Sequence, residues 1–383
     1  MAKVVGEFYK GRRKQRNTAV VIVGILLGIL ALVLVVFYGM QQYAVITKDD
    51  VHIKLKFLED GEEAVQEDES GAYVFEDVTA EITYDEPDYS SVVPQAGYNV
   101  EPIRAIFVEY NNINDEMLPQ YVNRLKEGNA LVLEMMPKEG LLMWQTNSEL
   151  GTKYGLSDYS GDIPSVMPDY MTYLKEENGI YLVAQINVCI DDLLNKSCTS
   201  VQLCNSVGFP YTDEIGSWLC PYNMDLRKFI VDCCNELYAL GFDEVVLANV
   251  RQPAVDMNAE GAEPFLYTRT MMTTQNARYG VSSLVSYITS QLDKRSGLLS
   301  VYLDSSTALV NGFDNTNGQD LELFFKLFDR VYYMTDMYAY QFNVEYAQKY
   351  LDVGDVKDRF VPVVLNYLPD NTSWVLVDYE EKD

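Results

Sequence analysis

The stretch Gly241-Phe242-Asp243-Glu244-Val245-Val246-Leu247-Ala248-Asn249-Val250-Arg251-Gln252-Pro253 reads as a buried strand followed by a loop. A glycine ends whatever precedes it, two acids open the run, and four consecutive apolar residues cannot alternate between core and solvent, as a half-buried strand would. Polar Asn249 and Arg251 follow, and Pro253 closes the segment. Upstream, Leu226, Phe229, Ile230, Cys233, Leu237 and Leu240 recur at helical spacing, so a helix that packs one face on a sheet leads into this strand. A buried strand preceded by an amphipathic helix is the repeating unit of a parallel sheet.

The same unit recurs on both sides. Strand-like runs fall at residues 103–110, 129–135, 180–188, 244–251, 298–304, 330–336, 360–366 and 374–378. Further helical stripes are formed by Leu118, Tyr121, Val122 and Leu125, and by Val281, Leu284, Val285, Ile288 and Leu292. Eight strands with crossover helices predict an α/β fold, a (β/α)8 TIM barrel, over residues 101–383. Residues 368–373 are too short for a crossover helix before the last strand, which points to imperfect closure of the ring.

The quoted stretch resembles a motif of a family of predicted glycoside hydrolases, TIM-barrel domains of bacterial envelope proteins. That motif runs Gly-Phe-Asp-Glu-Ile-x-Phe-Asp-Tyr-Val-Arg-Phe-Pro, so Ala248 and Asn249 stand where the family has Asp-Tyr. Asn129-Ala130-Leu131-Val132-Leu133-Glu134 is similar to the family's Asn-Ala-Leu-Val-Ile-Asp. Trp218-Leu219-Cys220-Pro221-Tyr222-Asn223 is similar to the segment before its fourth-strand helix. The resemblance implies carbohydrate as substrate or ligand, and an acid missing at Ala248.

TIM-barrel chemistry sits at the C-terminal strand ends. Those positions hold Glu109, Glu134, Asn249, Arg251, Asp304, Asp336 and Asn366. Glycoside hydrolysis needs one carboxylic acid to protonate the leaving oxygen and a second carboxylate to attack or to activate water. The candidate pair is therefore Glu134 with Asp304 or Asp336. Glu109, Asn249, Arg251 and Asn366 are candidate ligand contacts, and Trp218, Tyr222 and Tyr338 are aromatic candidates for stacking on sugar rings. Asp243 and Glu244 open their strand and belong to the opposite, structural face. Because the sole histidine is His52, outside the barrel, Ser-His-Asp and Cys-His systems are excluded there. No phosphate-cradling or dinucleotide-binding glycine pattern occurs, and no cofactor or metal is expected. Loss of the acid at Ala248 also fits an inactive barrel that binds glycan or an envelope protein, or a structural or signalling ectodomain.

Ahead of the barrel, residues 18–40 form an uncharged, mostly aliphatic run of 23, long enough as a helix to cross the ~30 Å hydrocarbon core. Residues 1–17 carry six basic groups and one acid. The positive-inside rule therefore places them in the cytoplasm and the remainder outside a cell membrane, on an uncleaved single-pass anchor. Gly24 and Gly28 have the spacing of a helix-dimerisation face. Outside the tail the net charge is −33, which disfavours nucleic acid and anionic lipid as partners. The expected partner is an envelope or extracellular polysaccharide. Residues 41–100 hold an acidic segment, with 13 Asp or Glu and no Lys or Arg over 59–88, and strand-like runs at 51–57, 73–75 and 80–84 predict a small β element. Six cysteines lie within residues 189–234, and an oxidising exterior predicts at least one disulfide among them, with the pairing open.

Overall fold

The helix that leads into the quoted stretch runs Met224–Leu240. Asn223 caps its start, its side chain accepting the Leu226 N–H, and Gly241 ends it at φ 111°, a conformation that costs a glycine nothing. The chain then turns directly into the strand Glu244–Ala248, all five of whose residues are buried. The computed structural model describes residues 44–47, 50–53, 100–125, 128–254, 266–268, 271–272, 277–292, 294–336, 338–350 and 356–377.

Eight strands close a parallel barrel: β1 Arg104–Val108, β2 Ala130–Met136, β3 Tyr181–Asn187, β4 Glu244–Ala248, β5 Leu298–Leu303, β6 Val331–Met334, β7 Phe360–Leu365 and β8 Trp374–Val377. Strands neighbouring in sequence are neighbours in the ring, and β8 pairs β1 in register from Trp374↔Arg104 to Val377↔Phe107. Closure is thus complete, contrary to the expectation drawn from the short last connection. A helix is not needed there, because residues 366–373 cross with local hydrogen bonds. Asn371 Nδ2 donates to the Phe360 and Ser373 carbonyls, and the Ile103 N–H donates to Ser373 Oγ.

Helices pack outside the ring. They include α1 Leu118–Arg124, α2 Ile163–Met171, α3 Met224–Leu240, α4 Ala277–Gln291, α5 Leu321–Leu327 and α6 Tyr340–Gln348. The large core lies between these helices and the outer strand faces. A second, smaller core fills the barrel itself, with Ala105, Ala130, Val132, Val183, Val246, Tyr332, Val361, Val363 and Val375 among its residues. The two-residue period of a strand separates the two sets.

The lower barrel is polar. Glu244, fully buried, pairs with Arg330 and accepts hydrogen bonds from Ser300 Oγ at 2.6 Å, Tyr332 OH at 2.8 Å and Tyr181 OH at 3.0 Å. Asp243, beside it, accepts from Lys175 Nζ at 2.6 Å and from the Leu182 N–H at 2.9 Å. Both acids therefore hold the bottom face together, as their place at the strand start implied.

Residues 1–84 and 85–383 form separate compact units. In the first, residues Ala44–Thr47 and Asp50–Ile53 pair antiparallel, a hairpin that overlaps the 51–57 run. The runs at 73–75 and 80–84, the tail and the apolar segment 18–40 lie outside the described residues. Among the described residues no helix is long and apolar enough to cross a membrane. All six cysteines are buried, and the structure forms no disulfide among them, against the expected bridge. Cys233 and Cys234 are adjacent on α3, and buried thiols serve as small apolar side chains.

A cavity at the C-terminal strand ends

The inward phase of each strand continues upward into a cavity of about 450 Å³ lined by Phe107, Glu109, Tyr110, Glu134, Lys138, Glu139, Gln185, Asn187, Ala248, Asn249, Tyr302, Asp304, Met334, Val363 and Val377. Four of the residues expected at the site from sequence, Glu109, Glu134, Asn249 and Asp304, meet here. A second cavity, of about 460 Å³, opens at the opposite end around Arg330, Lys175 and Asp243. Asp243 there is already satisfied by Lys175, and barrel enzymes place chemistry at the other face.

Glu134 stands on β2 at a bulge, where the register to β3 shifts between Glu134 and Met136. A bulge inserts a residue and re-aims its neighbours. Glu134 Oε2 accepts the Tyr110 N–H at 3.3 Å. Burial, reinforced by the charges of Glu139 and Glu109, pushes its carboxyl up to about 7, against the opposing pull of that N–H and of Lys138. Near neutral pH Glu134 is thus half protonated, the state a general acid needs.

Asp304 follows β5, directly beside β4. Its Oδ2 lies 3.4 Å from Arg251 Nε and accepts from Gln319 Nε2 at 3.2 Å. Its side chain remains 29% exposed, open to the cavity though ringed by protein. Desolvation raises its pKa, while Arg251 and Gln319 hold it down. Arg251 also lies over the Trp218 ring, 5.1 Å from its centroid. Indole, guanidinium and carboxylate form one chain that reaches the cavity at Asp304.

Asn249 takes φ 52° and Asn366 φ 60°, the non-glycine residues with positive φ among those described. Asparagine tolerates this region better than most side chains, yet at some cost. The Asn249 turn carries its amide to Asn187 Oδ1, and Asn187 Nδ2 donates to the Met136 carbonyl at 2.9 Å. Ala248, where the resemblance implies an aspartate, lines the cavity with a methyl group.

The other sequence candidates lie elsewhere. Asp336 is exposed, and its Oδ1 accepts the Tyr338 and Ala339 N–H groups at 2.8 and 2.7 Å ahead of α6. Tyr338 is 82% exposed. Asn366 is exposed at the end of β7. Trp218 is fully buried beneath Arg251, so its ring is not presented to a ligand, and Tyr222 packs against Gly280 of α4. Sequence reasoning missed Gln185, Asn187 and Tyr302. Gln185 lies two residues before the end of β3 and Tyr302 one before the end of β5, both facing the cavity. Among the described residues no three acidic, histidine or cysteine side chains converge as metal ligands.

A family model described as "Putative glycosyl hydrolase domain" matches residues 105–371. Among solved structures, similar folds include a hypothetical protein from Ruminiclostridium thermocellum, 18% identical, with a TM-score of 0.43 over 51% of this chain and 96% of that one. Another is Aspergillus fumigatus Ega3 in complex with galactosamine, 8% identical, with a TM-score of 0.38 over 70% of this chain and 77% of that one. A third is the spore cortex-lytic enzyme SleL of Bacillus megaterium, 12% identical, with a TM-score of 0.41 over 71% of this chain and 54% of that one. No curated protein matches the chain.

Proposed function

Because the chain belongs to this family of glycosyl hydrolase domains, we propose that its barrel cleaves glycosidic bonds in an envelope or extracellular polysaccharide, with Glu134 as general acid and Asp304 as the second carboxylate. The observation that carries this reading is that two carboxyls facing one cavity differ in their neighbours. Glu134 is desolvated and crowded by Glu109 and Glu139, which raises its carboxyl to about 7. Asp304 is also raised by desolvation, but Arg251 and Gln319 pull it back toward the ionised form. Glu134 would protonate the leaving oxygen, and Asp304 would attack the anomeric carbon or take a proton from water. Asp336 is less suited, because its carboxylate is occupied by two backbone N–H groups. In this reading residues 18–40 anchor the protein in a cell membrane and the barrel faces outward, where such a polysaccharide is met.

A second reading is favoured by Ala248. The cavity wall has a methyl group where the motif resemblance implies an acid, which suits a barrel that binds glycan, or an envelope protein, without cleaving it. One experiment separates the two. Purified full-length protein is screened against a polysaccharide panel for binding and for release of reducing ends, beside Glu134→Gln. Release that Glu134→Gln abolishes supports catalysis. Binding without release, unchanged by the substitution, supports the inactive barrel. Absence of both leaves a structural or signalling role.

A further inference from the structure

Glu109, Glu134, Glu139 and Asp304 line the cavity, against a single lining cation, Lys138. Asp304 is partnered by Arg251, and the Lys138 ammonium lies 3.4 Å from the Ile215 carbonyl. Neither Glu109 nor Glu139 makes a side-chain hydrogen bond or ion pair with any described residue, though each adds to the charge that raises Glu134 and Tyr110. Glu109 precedes a short helical turn, Tyr110–Asn112, yet its side chain makes no capping bond.

Below them Gln185 is only 9% exposed, lines the same cavity, and makes no side-chain hydrogen bond to any described residue. Its amide faces the cavity with its hydrogen-bonding groups open to a ligand. The cavity therefore combines an amide awaiting hydroxyl or ring-oxygen contacts with two carboxylates awaiting positive charge. A metal ion does not meet this need, since the described acids do not converge as ligands. A uronic acid or another anionic sugar would be repelled.

Resting on the glycosidase reading above, we propose that the sugar bound in this cavity carries a free, protonated amine. The substrate is a de-N-acetylated polysaccharide of 2-amino-2-deoxyhexose, with Glu109 and Glu139 facing the ammonium and Gln185 hydrogen-bonding the ring. An N-acetylated unit has no charge to offer these carboxylates, and a neutral hexose has none either.

The test is calorimetric binding to the full-length protein at pH 6 and low salt. The probes are hexosamine oligomers of several linkages, the same oligomers after chemical N-acetylation, and neutral hexose oligomers. The amine form of at least one linkage should bind about tenfold more tightly than its acetylated counterpart, a difference of about 1.4 kcal/mol. That margin should shrink as salt rises. The double variant Glu109→Gln/Glu139→Gln, whose substitutions lie at the cavity opening rather than in the core, should fold normally and lose the margin. Equal affinity for acetylated or neutral oligomers, or a margin that survives the double variant, overturns the amine proposal and leaves the glycosidase reading standing. Failure of every oligomer to bind or be cleaved removes both.

Discussion

Arg251 Nε lies 3.4 Å from Asp304 Oδ2, so the arginine past one strand end opposes the desolvation that raises the acid on the next. Its removal leaves Asp304 desolvated without its main counter-charge, and the aspartate pKa rises. Arg251→Gln should move the acidic limb of the pH–rate profile to higher pH and lower kcat/KM roughly tenfold to a hundredfold, the range expected when a reacting group is mispositioned. Arg251→Lys keeps the charge but not the planar stack on Trp218, and should recover only part of the loss. An unchanged acidic limb in Arg251→Gln would remove Asp304 from the reaction.

In the proposed reaction Glu134, with its carboxyl at about 7, would set the alkaline limb. Activity should fall as pH rises through that value, since the proton donated to the leaving oxygen is then absent. Glu134→Gln should reduce kcat by about 10²–10⁴, with glycan affinity retained. Steady-state rates measured from pH 4 to 9 check both statements.

The same group links pH to stability. Folding raises the Glu134 pKa from about 4.3 in an unfolded chain to about 7, so the native state binds the extra proton between these values. Its contribution is fully present below the unfolded value and is lost as pH rises to the folded one. Glu134→Gln removes that loss, so the variant should gain thermal stability relative to the parent at pH 8 and not at pH 4. Each kcal/mol corresponds to roughly 2–4 °C in Tm for a domain of this size or somewhat smaller. Melting curves at the two pH values read the sign directly.

At the other end of the barrel, Glu244→Gln leaves Arg330, 1% exposed, without its counter-charge. Breaking one side of such a buried pair costs roughly 3–5 kcal/mol, readable as a lower urea midpoint. Replacing both residues by methionine should cost less than the single change. Any catalytic constants per folded molecule should be unaltered, because this pair lies at the face opposite the cavity proposed for the reaction.

Ala248→Asp gives the wall back the acid that the family resemblance implies. If Glu134 and Asp304 already do the chemistry, the new carboxylate adds only like charge, so the rate should not rise and the alkaline limb should move above its parent value. A gain of hydrolysis in this variant, from a parent with none, would establish the parent as an inactive barrel.

All eight strands were legible because a parallel strand buried on both faces is an unbroken apolar run, and the stripes on α1, α3 and α4 mark the helices between. Strand ends were less legible, the fourth most of all. The run 244–251 leaves the ladder after Ala248, where Asn249 swings to positive φ, a backbone change that residue type only hints at. The site was half legible. Glu109, Glu134, Asn249 and Asp304 followed from strand ends alone. Trp218 did not, because a loop aromatic reads alike whether it faces outward or packs inward under an arginine. Gln185 escaped because it stands two residues below its strand end.

The β8–β1 seam joins Trp374 to Arg104 and is locked by the Trp374 N–H to the Ile103 carbonyl at 2.8 Å. These contacts span about 270 positions of chain, so the ring cannot be completed until nearly the last strand has been made. A product released before residue 374 would hold seven strands with two raw edges, β1 and β7, each a template for pairing with another chain. Truncation ahead of Trp374–Val377 therefore yields a sheet with open edges rather than a smaller barrel.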